Sequence, residues 1–489
     1  MAKQTLEINP AGLKLSKKSP TPLYLQLYGQ FRQMILSKRF RAGERVPASR
    51  NLAKELGVSR IIVSQAFEQL IMEGYLVGKP GSGTFVVQVL PDQLLHVKTK
   101  NGQKINESTR RDGPASSTER KIKTRYFQIG TPSLDSFPYK TWSNVAANVL
   151  KDLKKINLGY GDTLGYWPLR KAIASYLRIS RAVTCEAEQI IVVTGSQQGL
   201  NLITQCLLKK NDKVWMEDPC YFGARDAFEG MGVEICGIPV DKDGLDIDYA
   251  RKKFPKAGMV YVTPSHQFPL GYTLSQQKRW QLLEWAQQNE SWILEDDYDS
   301  EFRYEGNPLP SLQGLDENKR VIYSGTFSKV LFPGLRLAYI VLPSVEMVND
   351  FKKVKEIFDR QSPIMEQLIL YRFMEEGFFL RHIRKMRLLY AERQQIIVKL
   401  LNEQLSDYIR LNVPPSGMHV IGWLSEKINL SSFGQEIKKQ NLAVSFISEF
   451  TLQHTLPPAI ALGFTAFTKY QLKTAVEKLR YCVHISLHE

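Results

Sequence analysis

Several apolar runs in this chain end in side chains that can hold a small ligand. Trp292-Ile293-Leu294 leads into Glu295-Asp296-Asp297-Tyr298, and Val321–Ser324 leads into Gly325-Thr326-Phe327-Ser328-Lys329. Lys213–Met216 precedes Glu217-Asp218-Pro219, and Met259–Val262 precedes Thr263-Pro264. If these runs are strands of one sheet, their ends gather acids, an aromatic and a lysine where open α/β sheets bind ligands. A further run, Ile190–Val193, enters Thr194-Gly195-Ser196-Gln197-Gln198-Gly199 and then Leu200, Leu202 and Ile203. A strand, a polar glycine turn and a helix start form an anion site, because unpaired helix amides point into the turn. A plain tight turn is the other reading of that motif, and the absence of Gly-Lys-Ser/Thr excludes a P-loop. A second chemistry is written near the front. Arg60, Ser64 and Gln65 offer the donors and acceptors that base edges and phosphates require, if a helix presents them outward.

The elements that must position these groups follow from periodicity. Leu23, Tyr24, Leu27 and Ile35 mark an amphipathic helix ending near Arg39. Ser49 precedes a short stripe of Leu52, Ala53 and Leu56 that Gly57 closes. Ser59 is placed to cap a third helix in which Val63, Ala66, Phe67 and Leu70 share a face. Two helices joined by a tight glycine turn make a helix-turn-helix. After Gly74 the period changes: Tyr75-Leu76-Val77 reads as a strand, Gly78–Gly83 as a turn with Lys79 near its tip, and Thr84–Val87 as the return strand. Further on, helical stretches such as Ala172–Leu177 and Trp280–Gln288 alternate with apolar strands, which predicts an α/β fold with a mostly parallel sheet.

Charge separates the two regions. Residues 1–125 hold 22 Lys and Arg against 9 Asp and Glu, which is most of the chain's formal +16. That excess suits a front that meets phosphates, although a solvated basic face is the plainer reading of charge alone. Residues 91–125 carry eight of these basic side chains from Lys98 to Lys123 among Gln, Ser, Asn and Gly without apolar periodicity, and read as a linker. No apolar run reaches the roughly 18 residues of a membrane span, and the N-terminus has no apolar signal segment, so the expected location is cytoplasmic. The five cysteines, Cys185, Cys206, Cys220, Cys236 and Cys482, lack CxxC spacing and suggest neither a zinc site nor a disulfide framework. The expected division is a winged helix-turn-helix over 15–88, a basic linker over 89–125 and an α/β effector domain over 126–489.

The motifs now support a resemblance. Pro-Ala-Ser-Arg from Pro47, Leu-Gly-Val-Ser-Arg from Leu56 and Gly-Ser-Gly-Thr-Phe-Val from Gly81 resemble the GntR family of bacterial regulators. The resemblance implies DNA contacts by Arg45, Arg50 and Arg60, beside the candidates Ser64, Gln65 and Lys79. Thr-Gly-Ser-Gln-Gln-Gly from Thr194, Glu-Asp-Pro-Cys-Tyr from Glu217 and Thr-Pro-Ser-His-Gln-Phe-Pro-Leu-Gly from Thr263 resemble a fold type I, pyridoxal-phosphate-dependent aminotransferase. So do Glu-Asp-Asp-Tyr-Asp-Ser-Glu-Phe from Glu295 and Gly-Thr-Phe-Ser-Lys-Val-Leu-Phe-Pro-Gly-Leu-Arg from Gly325. A GntR-type head on such a body is similar to the MocR subfamily of regulators.

By that resemblance Lys329 forms the internal aldimine with pyridoxal 5'-phosphate, and Asp296 pairs with the protonated pyridine nitrogen. Tyr298 is implied to reach the cofactor's phenolic oxygen and Tyr221 to lie against its ring, although either could be a core aromatic. Ser196, Gln197, Thr326, Ser328 and Arg336 are the implied phosphate cup. His266 and His419 are nearby candidates without assigned chemistry. Ala461 stands where amino-acid-binding relatives tend to carry an arginine that clamps the substrate carboxylate, and Arg384, Arg387 or another arginine would have to substitute. The expectation is a homodimeric regulator that binds double-stranded DNA and senses pyridoxal phosphate or its adduct with a small amine or amino acid. The alternatives are a working aminotransferase that regulates its own gene, and a cofactor-free dimerisation scaffold.

Overall fold

The computed structural model describes residues 13–16, 19, 21–37, 39–79, 81–88, 124–152, 154, 159–306 and 310–487. The segment expected to be a linker lies almost wholly outside these residues. The chain divides into two compact units, Met1–Arg120 and Lys121–Glu489. Among the described residues no helix is long and apolar enough to cross a membrane.

In the first unit α1 (Leu23–Leu36), α2 (Ser49–Glu55) and α3 (Arg60–Met72) enclose a core of Leu27, Phe31, Ile35, Leu52, Val63, Phe67 and Leu70. The α1 contributors recur every four residues, so a single face of the helix is buried. Phe31 is fully buried, stacked on Phe40 and edge-on to Phe67. Gly57, at φ +64°, supplies the left-handed turn after α2 that a side chain would resist. Ser59 does precede α3, but its side chain makes no capping bond, so the helix start relies on Ile62 N–H donating to Ser59 O. The strands β1 (Leu76–Lys79) and β2 (Gly83–Val86) form the antiparallel wing. Gly78, expected in the turn, is inside β1, and the pairing closes at Lys79 opposite Gly83. Residues 43–46 join the wing, with Val46 N–H donating to Thr84 O and Val86 N–H donating to Glu44 O.

Replacing Phe31 by alanine removes the ring at the centre of this small core, which costs about 3–5 kcal/mol. A unit of this size has little more than that in reserve. The expected result is loss of DNA binding in the intact chain, with cofactor absorbance retained because the second unit has its own cores. Loss of both signals together would contradict the two-unit organisation.

The second unit is built on an eight-stranded sheet of β3 (Ile190–Val193), β4 (Lys213–Asp218), β5 (Glu234–Asp241), β6 (Gly244–Leu245), β7 (Met259–Val262), β8 (Trp292–Asp297), β9 (Val321–Thr326) and β10 (Ala338–Val341). Their order is β3-β10-β9-β8-β7-β4-β5-β6. The run from β9 to β5 is parallel, and β10 and the short β6 are antiparallel to their neighbours. Strands β3, β7, β9 and β10 are buried along their whole length, as a sheet covered on both faces requires. The strands run further than the apolar stretches suggested: Glu295, Asp296 and Asp297 are inside β8, and Thr326 is inside β9. Such acids survive in a buried strand because each finds donors. Glu295 accepts from Leu312 N–H and Gln313 N–H, and Asp297 accepts from Arg181 and the Tyr323 hydroxyl. A smaller antiparallel sheet, β11 (Ile409–Asn412), β12 (His419–Leu424), β13 (Ser445–Phe446) and β14 (Ala459–Gly463), packs with the helices Phe378–Leu405 and Lys469–Ile485.

Candidate functional site

A cavity of about 340 Å³ opens at the carboxyl ends of β8 and β9, and all nine residues proposed from sequence for the cofactor line it. Ser196 and Gln197 occupy the first turn of the helix Ser196–Leu207, whose leading amides face the turn after β3. Gly195 precedes them at φ +139°, and a Cβ there would sit 2.6 Å from an Arg336 terminal nitrogen. The arginine therefore reaches the helix start only because no side chain intervenes. Thr326 ends β9, its hydroxyl accepts from Ser328 N–H at 3.2 Å, and Lys329 follows. The result is a cluster of hydroxyls, amides and one guanidinium suited to a phosphate.

Lys329 Nζ donates to Gly130 O at 3.0 Å. Gly130 suits that contact: its φ of +65° lies in the left-handed region that a side chain resists, and an added Cβ would lie 2.7 Å from the amine and displace it. Burial lowers the lysine's pKa, opposed by Asp299 and Asp296, so a larger share of the amine is neutral and nucleophilic. Asp296 is 5% exposed; one carboxylate oxygen accepts from the Tyr261 hydroxyl at 2.7 Å and the other, Oδ1, has no partner. A buried acceptor left unpaired is expensive. It marks a position for a donor that arrives with a ligand, and a protonated ring nitrogen is such a donor.

Tyr298 lines the cavity, but its hydroxyl donates to His266 O at 2.9 Å and lies 2.9 Å from His266 Nδ1. His266 Nδ1 also lies 3.0 and 3.1 Å from the two Asp299 oxygens. His266 is thus locked by neighbours and outside the lining, while Asp299, its partner, faces the cavity. His419 lines the cavity and its Nε2 donates to Pro269 O at 2.7 Å. Tyr221 is half-buried on the wall beside Phe222 and Phe268. Sequence reasoning missed Tyr261, Asp299, Gly130, Phe268 and Met418. Asp299 was within reach, two residues beyond β8 in the quoted acidic run; Tyr261 was hidden as one apolar member of a buried strand. Ala461 is fully buried among Leu270, Ile421 and Ile447 rather than on the cavity wall. The suggested substitutes fail too: Arg384 and Arg387 are exposed and neither lines the cavity.

On the first unit, Arg60 and Gln65 are exposed and Ser64 half-buried on α3, with Arg60 and Ser64 one turn apart. Arg50 is exposed on α2. Arg45 bridges to Phe85, and a Cβ on Gly83 would meet its guanidinium at 2.6 Å, so it lies along the wing. Lys79 Nζ sits 5.2 Å from the centre of the Phe85 ring, so that cation is held against the wing's aromatic.

Comparison with known proteins agrees with both halves. Residues 23–86 match the family of bacterial regulatory proteins of the gntR type, and residues 128–479 match aminotransferase class I and II. The chain is 34% identical over 472 residues to the Rhizobium meliloti protein named "Probable rhizopine catabolism regulatory protein MocR", covering 96% of this chain and 95% of that one. The chain belongs to the MocR-type regulators of the GntR family. Another relative, the pyridoxine biosynthesis transcriptional regulator PdxR of Corynebacterium glutamicum, is 30% identical over 410 residues, with 84% and 85% covered. Among solved structures, an α-aminoadipate aminotransferase of Thermus thermophilus, complexed with N-(5'-phosphopyridoxyl)-L-leucine, superposes at TM-score 0.67 with 27% identity. That match covers 73% of this chain and 91% of the other. A kynurenine aminotransferase of Pyrococcus horikoshii gives TM-score 0.68 with 26% identity over 74% and 91%. For this MocR-type chain the cofactor is pyridoxal 5'-phosphate, and the unpaired Asp296 oxygen, the buried Lys329 and the polar helix start fit its three polar ends.

Burial raises the Asp296 pKa to about 6, with the Tyr261 hydrogen bond opposing the rise. A carboxyl whose folded pKa is raised stabilises the fold at low pH and loses that contribution as pH climbs through about 6. Asp296→Asn removes the buried charge, so the cofactor-free protein is expected to melt no lower than wild type at neutral pH. Cofactor affinity moves the other way, falling about 10- to 100-fold with the loss of a charge-assisted bond. In wild type it weakens as pH drops below about 6. A variant that keeps wild-type affinity in a pH-resolved titration would remove Asp296 from the cofactor site.

Proposed function

We propose that this protein is a homodimeric, cytoplasmic transcriptional regulator whose second unit senses pyridoxal phosphate, or its adduct with a small amine, and alters DNA binding by the first. The observation that carries the reading is one cavity holding a buried amine and an unpaired buried carboxylate oxygen, in a chain with a winged helix-turn-helix. The bound cofactor supplies an aldehyde that an amine can attack and a ring that withdraws electrons. The chain's residues do the rest. Lys329 is the attacking amine, Asp296 would hold the ring nitrogen's proton, Tyr221 would face the ring, and Ser196, Gln197, Thr326, Ser328 and Arg336 would hold the phosphate. Tyr298 would serve the phenolic oxygen by exchanging its present bond to His266 O. Arg45, Arg50, Arg60, Ser64, Gln65 and Lys79 would face DNA.

Dimerisation is supported by apolar side chains left in water. Tyr160 is 81% exposed and Ile357 86%, and the Arg360 guanidinium lies 5.1 Å from the Tyr160 ring, which brings these segments together. Such a patch suits a self-complementary interface, and a dimer would present two heads to paired half-sites. The working-enzyme alternative needs a group to clamp a substrate carboxylate, and Ala461 is not one.

A ligand shifts regulation only through different affinities for two arrangements. The test is DNA binding to the protein's own upstream region at fixed salt, with and without pyridoxal phosphate and then with added amines. A changed dissociation constant supports a sensor. A complex indifferent to cofactor and amines overturns it.

A further inference from the structure

One side of α3 faces solvent, and a large aliphatic side chain stands at its front. Val63, Ala66, Phe67 and Leu70 bury the other side of the helix in the core of the first unit. At about 100° per residue, Ile61 points directly away from that buried side. Ser64 and Gln65 follow it at i+3 and i+4, so the three share one face. Ile61 is 69% exposed, the second residue of α3 and next to the exposed Arg60. Such a side chain in water contributes nothing to the core. Its neighbours one and two turns along the face are Ser64, Gln65 and Glu68, all polar, so the face does not widen into the apolar patch that a protein partner would cover.

DNA offers a group of the right size. In the major groove the apolar projection from a base edge is the 5-methyl of thymine. A helix-turn-helix brings the first residues of its second helix to the base edges, and Arg60, Ile61, Ser64 and Gln65 are the first six positions' outward side chains of α3. The acid Glu68 comes two turns after Ile61, which favours entry by the start of the helix, where no carboxylate nears the phosphates. Isoleucine is also stiff at χ1 in a helix, so little freedom is lost when its outer carbons are covered. Resting on the reading of the first unit as the DNA-binding part of a regulator, we infer that Ile61 is a specificity-determining residue that packs on the 5-methyl of a thymine beside the base pair approached by Arg60. The contact is uncharged, so it adds sequence preference without adding to the salt dependence.

The test uses the full-length protein and its own upstream region, prepared once with thymine and once with uracil, which lacks only the methyl. Random DNA prepared both ways is the control. Uncovering one methyl costs about fourfold in affinity for each head, so a dimer on paired half-sites should bind the uracil form more than about tenfold more weakly, with an unchanged salt slope. Ile61→Ser should bind thymine DNA about as weakly as wild type binds uracil DNA, and should not distinguish the two. Ile61→Val, which keeps a branched apolar end, should retain most of the difference. The melting temperature and the cofactor band should match wild type in both variants, since Ile61 is outside the core. Uracil placed at one thymine at a time then locates the contact. Equal affinity of wild type for both forms of the upstream DNA overturns the inference. So does an Ile61→Ser variant that weakens on both forms alike and keeps the wild-type ratio, the result expected if Ile61 touches another head or the DNA backbone. Wild type that does not prefer the upstream region to random DNA fails the regulator reading itself, and this is seen before any uracil is introduced. The comparison on wild type decides the matter even where a variant does not fold.

Discussion

Lys329→Ala abolishes the absorbance band above about 400 nm in protein supplied with pyridoxal phosphate, and borohydride no longer fixes the cofactor to the chain. The loss is complete because, among the described residues, Lys329 is the only lysine on the cavity wall, and the buried Lys355 donates to Asp359 at 2.7 Å outside it. The fold should tolerate the change. Burial already disfavours the charged amine, and the single bond lost is to the Gly130 carbonyl. Binding to upstream DNA without cofactor should be preserved, since the first unit has a core of its own. What disappears is the dependence of that binding on pyridoxal phosphate. A band that persists in the variant would assign attachment to another lysine. A cofactor response that persists without the band would make non-covalent occupancy of the phosphate and ring sites the signal.

Much of this architecture was readable because local patterns and global fold agree. The run Val63, Ala66, Phe67, Leu70 is helical by spacing and is buried in α3. Ile190–Val193, too short and too uniformly apolar to choose between helix and strand alone, is resolved by the glycine turn behind it and is β3. Boundaries were harder. Hydropathy ends a strand at its first acid, whereas β8 continues through Glu295, Asp296 and Asp297. Their donors come from Leu312, Gln313, Arg181, Tyr261 and Tyr323, up to 116 residues away in sequence. Burial of a charged group depends on partners that no local window contains.

The same limit governs the candidate site. Residues that line the cavity from a strand end or helix start, such as Lys329, Asp296 and Ser196, were legible because the element that presents them is written beside them. Gly130 was not, since it reaches the cavity by tertiary packing, and His419 was legible as a candidate but not in its chemistry, since its partner is equally remote. Gly130 lies 199 positions from the lysine it contacts, and His419 is 150 positions from Pro269. The significance of Ala461 also changed with structure. In sequence it is a missing arginine; in the fold it belongs to an apolar cluster away from the cavity wall.

Replacing Arg50 and Arg60 together by alanine weakens specific DNA binding about a hundredfold at physiological salt while leaving the cofactor band unchanged. The estimate takes about 1–3 kcal/mol for each contact made to a base edge, or a comparable share of the phosphate attraction, added over two positions on different helices. Both side chains are exposed, so removing them opens no cavity and the first unit should keep its stability. Salt separates their roles. An arginine that neutralises a phosphate contributes about 0.9 to the slope of log affinity against log salt, equally on specific and random DNA. An arginine that reads a base leaves the slope nearly unchanged and loses affinity only for the specific site. Arg60 is the first residue of α3, the end that enters a major groove in a helix-turn-helix, so its single variant should lose specificity. Arg50 is on α2, where a flatter salt dependence on both DNAs is expected. Unchanged affinity in the double variant would remove these two arginines from the DNA face and leave Arg45 and Lys79 on the wing to carry it.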